Sequence, residues 1–296
     1  MDDSVPLPPP PMTAPAPEAP ARHAVAESAS ASPPDPVDAA RAEIERIDAA
    51  LLDLLGERLR QVEIVARAAP PQALPISPAR EVRLLRALIA AAKDRVEPEH
   101  VVEIWRGLIG AAVRRQRPID VAVCVGAGPD NYRAFDLARR HFGARTRLHR
   151  FDDVRAALNR VAESGDVVAV VPWPGKTGAG MWWHALTESR YARLRLIAAL
   201  PMRAFEGQAP EAAIVAAGAP LEEAGGDACF AIAFDRHFRI ARALADAGLK
   251  GEEVARSDNK VLIRIDGFVD PADPRFAAVA RAGLDQFRVI GAYAQV

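Results

Sequence analysis

Residues 41–69, RAEIERIDAALLDLLGERLRQVEIVARAA, read as one long helix whose apolar seam is interrupted by a permanent positive charge. Ile44, Ile47, Leu51, Leu54 and Val65 recur at steps that fit a single stripe. Arg58 lies four residues after Leu54, on the stripe itself, and Arg41 lies three before Ile44, close to it. A guanidinium stays charged at any accessible pH, and burying it unpaired is prohibitive. Each therefore needs an anion or a path by which its head reaches water.

The same intrusion recurs in the next two helices. The first is expected to run from about Asp38 to Ala69, where Pro70-Pro71 stops it. The second runs from Pro78 to about Asp94, with Val82, Leu85, Leu88 and Ile89 on its stripe. The third begins at Pro98, carries Val101, Ile104, Trp105, Leu108, Ile109 and Ala112, and ends before Pro118. Proline suits the first turn of both. Glu81, four before Leu85, sits on the second stripe with Arg80 beside it, and Gln116 follows Ala112 by four. Pattern alone favours a structural ion network, for example Arg58 with Glu81. The functional reading is a pocket for a small anion. Arg41 and Arg58 are 17 residues apart, or ~26 Å along a straight helix. One small ligand cannot meet both from a single helix, so a shared ligand requires two antiparallel chains.

The remainder divides by composition and rhythm. Residues 1–34 hold 10 of the 25 prolines and read as a disordered Pro/Ala-rich tail. After residues 35–117, a helical domain, the period changes. Residues 118–225 read as an α/β region: strands in IDVAVCVGAG and DVVAVVPWPG, helices in NYRAFDLARRHFG and VRAALNRVAESG, and further strands in RLIAALPM and AAIVAAG. Residues 226–296 follow a β-α-β-β-α-β order, a ferredoxin-like layer with helices near 238–247 and 274–282. The turn at 126–128 could cradle an anion, or serve only as a tight α/β turn. The net charge of −1 argues against a nucleic-acid binder. No apolar run approaches a membrane span of ~18 residues, and no signal peptide is legible. Cys124 and Cys229 read as buried free thiols of a cytoplasmic protein. His is scarce and no metal-ligand spacing is present, so neither metal nor cofactor is expected.

The run R-x-x-I-x-x-I-D-x-x-L-L-x-L-L-x-E-R, with PISPARE and EIWRGLIGAAVRRQ after it, resembles the all-helical (type II) chorismate mutases over about residues 37–117. It looks most like the mutase domain of bifunctional chorismate mutase–prephenate dehydratases. That resemblance implies an intertwined helical homodimer rearranging chorismate to prephenate without a cofactor. It implies that Arg58, and Arg41 donated across the interface, hold the two substrate carboxylates, and that Arg80 supports the pocket. Glu81 would accept from the substrate hydroxyl and Gln116 would donate to the ether oxygen. The family's lysine near the end of the first helix is Ala69 here, and Arg67 is the nearest cation, so a lowered rate is expected. A non-catalytic regulatory protein that binds an aromatic-pathway metabolite is the alternative, and a helical scaffold with structural arginines the blander one.

The second half resembles a prephenate dehydratase lobe followed by an ACT-like regulatory module. The dehydratase Glu-Asn-Ser and Thr-Arg-Phe motifs are absent, PWPGKTGAGMWW standing in the first one's place. No dehydratase activity is expected. Trp182 and Trp183 either line an aromatic pocket or belong to the core.

Overall fold

A computed structural model describes residues 35–70, 74–126, 131–203 and 208–296. The tail of 1–34 and Gly128 of the anticipated turn lie outside the described residues. The chain forms two compact units, Met1–Leu54 and Leu55–Val296. Helix α1, Pro36–Ala68, contributes to both. Its start is fixed by Asp35, whose Oδ1 accepts from Val37 N at 3.0 Å, with Pro36 in the first turn. None of its residues is buried. Ile44, Ile47, Leu51 and Leu54, the expected seam, are all exposed.

Within the second unit, α2 (Pro78–Ala92) and α3 (Pro98–Gln116) each begin on the proline that marked them in the sequence. The expected end of α2 at Asp94 gives way to a 3-10 turn over Lys93–Arg95, where Lys93 turns with a φ of 50°. Val82 and Leu85 of α2 and Val101, Ile109 and Val113 of α3 are buried, as their spacing requires. Gly110 of α3 faces the carbonyl of Phe142 so closely that a Cβ could not fit.

Among the described residues nine strands form one sheet: β1 (Asp120–Cys124), β2 (Arg147–Phe151), β3 (Val167–Pro172), β4 (Leu194–Leu200), β5 (Ala212–Ala217), β6 (Ala228–Phe234), β7 (Gly251–Ser257), β8 (Lys260–Asp266) and β9 (Asp285–Tyr293). Their order is β2-β1-β3-β5-β4-β9-β6-β8-β7. β1 runs parallel to β2 and β3, with α4 (Asn131–Phe142) and α5 (Val154–Glu163) as the crossovers. β3, β5 and β4 are antiparallel neighbours. The last four strands pair antiparallel as β9-β6-β8-β7 with α6 (Ile240–Asp246) and α7 (Arg275–Arg281) between them in sequence, which is the ferredoxin-like order.

The α/β and ferredoxin-like parts share this sheet. β4 and β9 meet in parallel through a single pairing, Leu196 with Gly291. A side chain at Gly291 would collide with the carbonyl of Leu196, so glycine is what lets the strands close. Trp182 and Trp183 fall in a helical turn of 3-10 type, Gly178–Thr187, and both are core residues. Their indole N–H groups donate to the carbonyls of Pro172 at 2.7 Å and Gly175 at 3.1 Å. Of the two readings offered for that pair, the core is the one realised. Among the described residues, no helix is long and apolar enough to cross a membrane.

Candidate functional site

A cavity of about 500 Å³ opens where the C-terminal turns of α1 meet α2 and α3. Arg58 reaches it from α1, Arg80 and Glu81 from the first turn of α2, and Gln116 from the last turn of α3. Four of the five residues expected at a site thus wall one space. The fifth, Arg41, belongs to the other unit, where it is exposed and pairs with Asp38 at 3.3 Å.

The charges on the wall are not equivalent. Arg58 is half-buried and donates from NH1 to the carbonyl of Leu108 at 3.3 Å. Neither Arg58 nor Arg80 has a carboxylate partner among the described residues. Arg117, beside Gln116 on the same wall, pairs with Asp166 at 2.8 Å. Glu81 is 8% exposed and forms an ion pair with Arg106 of α3, itself 6% exposed. Its other oxygen lies 3.4 Å from the backbone N–H of Ser77. A carboxylate so enclosed needs a bonded partner, and the guanidinium of Arg106 is that partner. The sequence suggested Arg58 as its partner, but Arg106 takes that place.

Arg106 was the functional residue missed in the sequence. A signal existed: Arg106, Ile109, Gly110 and Val113 follow helical spacing, and all four are buried. Arg106 also ties the cavity to the α/β region, because Nε and NH2 donate to the carbonyl of His141 in α4, at 2.9 and 2.5 Å. Ala69 lines the cavity, and Arg67 does not. Arg67 is exposed and donates to the carbonyl of Glu63 at 3.3 Å.

His141 carries a pH consequence. Its ring is buried, and burial first, then the nearby charge of Arg106, hold its pKa well below the usual 6.5. The folded protein therefore keeps it neutral, while the unfolded chain protonates near ~6.5. Stability from this group is complete above that pH and falls as the pH drops below it, at up to ~1.4 kcal/mol per unit. Urea midpoints measured from pH 8 to 5 should fall in the wild type, and His141→Leu should flatten that slope. An unchanged slope would assign the acid sensitivity to other groups.

Three helices thus place two cations, an amide and one sequestered carboxylate around a single cavity. Residues 40–117 match the chorismate mutase type II family, and this segment is a domain of that type. A curated relative is the bifunctional chorismate mutase/prephenate dehydratase of Stutzerimonas stutzeri, 29% identical over 115 residues. That match covers 37% of this chain and 31% of the relative's length. Among solved structures, a prephenate dehydratase from Streptococcus mutans is similar with a TM-score of 0.41 and 13% identity, over 60% of this chain and 98% of that one. GqqA, described as a novel type of quorum quenching acylase, is similar with a TM-score of 0.39 and 17% identity, over 60% and 95%.

Proposed function

We propose that this protein rearranges chorismate to prephenate in aromatic amino-acid biosynthesis. The observation that carries the reading is the cavity in which Arg58 and Arg80, without carboxylate partners, stand with Gln116 and Glu81. The reaction is pericyclic, so the protein needs no nucleophile, acid or cofactor. It must hold the compact conformer of a dicarboxylate and stabilise negative charge on the oxygen of the breaking C–O bond. Arg58 holds one carboxylate, with Arg80 in support, and Gln116 donates to the ether oxygen. Glu81 accepts from the hydroxyl with the oxygen that faces Ser77.

The second carboxylate goes to Arg41 of a second copy, given the ~26 Å that a straight helix puts between positions 41 and 58. The exposed side chains of Ile44, Leu51 and Leu54 support a homodimer, since a second copy would cover them. The α/β and ferredoxin-like parts are read as a dehydratase remnant and an ACT-like module that serve regulation, in a cytoplasmic protein. Formation of phenylpyruvate from added prephenate would overturn the remnant reading.

Ala69 sets the expected rate. A cation missing from the ether-oxygen side typically costs ~10²–10³ in rate, and Arg67 is engaged with the backbone of its own helix. Loss of chorismate by the purified protein should exceed the uncatalysed background, and Ala69→Lys should raise kcat by at least about tenfold. Chorismate binding without turnover in both proteins would favour the alternative, a regulatory protein that senses an aromatic-pathway metabolite. Neither binding nor turnover would leave a helical scaffold.

A further inference from the structure

The single pairing between β4 and β9 leaves a seam in the sheet, and two arginines meet there. Arg195 of β4 donates from NH1 to the carbonyl of Ala192 at 2.7 Å and to that of Leu194 at 2.9 Å. Arg288 of β9 donates from NH1 to the same Ala192 oxygen at 2.7 Å, and from NH2 to the carbonyl of Leu186 at 2.6 Å. Two guanidinium groups bonded to one oxygen are necessarily close neighbours. Both side chains are half-buried. Burial lowers the pKa of each below the usual arginine value, and the charge of Arg195 lowers that of Arg288 further. No carboxylate counters either one among the described residues.

The carbonyls explain part of this. Leu186 and Ala192 lie at the ends of the helical turns Gly178–Thr187 and Ser189–Tyr191, where orphan carbonyls call for donors. Carbonyl dipoles satisfy N–H groups, but they carry no net charge. Two like charges, partly removed from water and in contact with a shared acceptor, remain uncompensated. Among the described residues no acceptor is bonded to the Arg288 Nε or to the Arg195 Nε and NH2, so these N–H groups are left for a ligand. A guanidinium presents its N–H groups as a flat fork that matches a carboxylate or a phosphoryl group.

We propose that Arg195 and Arg288 form a binding site for a small oxyanion, held across the seam between the α/β and ferredoxin-like parts of the sheet. The site draws on neither the cavity nor the mutase reading. Its occupant neutralises both charges and joins β4 to β9 at the end of the seam, where backbone pairing is lacking. Carboxylates and phosphoryl groups share the required chemistry.

The test is thermal melting at constant ionic strength, with sodium chloride replaced stepwise by sodium phosphate in one arm and sodium malonate in the other. It is run on the wild type, on Arg58→Ala to remove the cavity's anion response, and on Arg195→Gln and Arg288→Gln. The wild type and Arg58→Ala should show a saturable rise in Tm, and the half-saturating concentration should increase at least about tenfold in each seam variant. A rise confined to phosphate assigns the site to phosphoryl groups, and one confined to malonate assigns it to carboxylates. No saturable rise over chloride in either arm, or an unaltered rise in Arg195→Gln, overturns the proposal. Arg288→Gln loses two carbonyl contacts and is allowed to fail to fold, because Arg195→Gln alone decides. In chloride at low ionic strength Arg195→Gln should melt no lower than the wild type, since it relieves the repulsion. A clearly lower melt there would assign the pair a purely structural clasp.

Discussion

If the protein rearranges chorismate as proposed, Arg58→Ala should lower its turnover by at least about 10²–10³, the loss expected when one preorganised charged donor leaves a desolvated site. Arg58 is suited to that role because its charge is unspent. Among the described residues its side chain makes one hydrogen bond, to the carbonyl of Leu108 at 3.3 Å, and no carboxylate partners it. Removal therefore takes away a cation aimed at the cavity while disturbing little of the packing around it. Tm should stay within a few degrees of the wild-type value. Arg115 provides the control: it is exposed, pairs with Glu63 and lies outside the cavity wall. Arg115→Ala should keep turnover within about twofold, as an exposed ion pair contributes little. Steady-state kinetics on the three proteins decide the matter. Turnover by Arg58→Ala within tenfold of the wild type removes Arg58 from the mechanism. If the wild type binds chorismate without converting it, the same substitution is read in Kd, and the loss there identifies Arg58 with binding alone.

The contrast between Arg58 and Glu81 explains how far the site could be read in advance. Both sit on apolar stripes, and spacing singled out Arg58, Glu81 and Gln116 with Arg80 beside them; pattern alone favoured an ion network, the family resemblance pointed to a pocket, and the four line one cavity. What spacing could not give was the pairing. Glu81 needed a cation, and the nearest candidate by pattern was Arg58. The actual partner, Arg106, is chosen by the packing of α3 against α4, where the carbonyl of His141 completes its bonds. That contact joins residues 35 apart and leaves no trace in the period of either helix. Arg41 was read as a charge near a seam that could share a ligand with Arg58 only across two antiparallel chains, and among the described residues it pairs with Asp38.

The fold followed the same division. Prolines at 78 and 98 mark helix starts, and Pro118 lies just past the end of α3, because each acts locally, while α1 begins at Pro36, two residues before the expected Asp38. The strands of the core announced themselves as short apolar runs such as VVAVV and VLIRI. β2 did not. Its sequence, RLHRF, lies at the edge of the sheet with three of its five residues exposed, so it carries charges where a central strand would carry valine. The joining of β4 to β9 was equally hidden, because it depends on the absence of a side chain at Gly291, and a glycine near a chain's end has many uses. The exposed seam of α1 marks the limit of reading a single copy: the stripe is regular, and none of its residues is buried.

Arg106→Met destabilises the protein by about 3–5 kcal/mol near neutral pH, the cost of leaving one member of a buried ion pair without the other. The magnitude comes from Glu81. With Arg106 gone, the half of its carboxylate that Arg106 held loses its partner, and the 3.4 Å contact to Ser77 N remains. His141 titrates in both proteins, but its acid penalty should ease in the variant, because the repelling charge of Arg106 is removed, so the stability deficit of Arg106→Met against the wild type should narrow as the pH falls below ~6.5. The triple comparison with Glu81→Leu and the double variant Arg106→Met/Glu81→Leu separates pairing from packing. The double variant should recover most of the loss, since an apolar pair of similar volume replaces a buried ion pair with little change or even a gain. Urea denaturation gives all four stabilities. A deficit in Arg106→Met below about 1 kcal/mol, or one that does not vary with pH while the double variant recovers nothing, would mean that the contact with His141 and not the charge of Glu81 is what Arg106 supplies. Activity then discriminates further: Glu81 freed from Arg106 can swing within the cavity, so kcat should drop in Arg106→Met at temperatures where the variant is still fully folded.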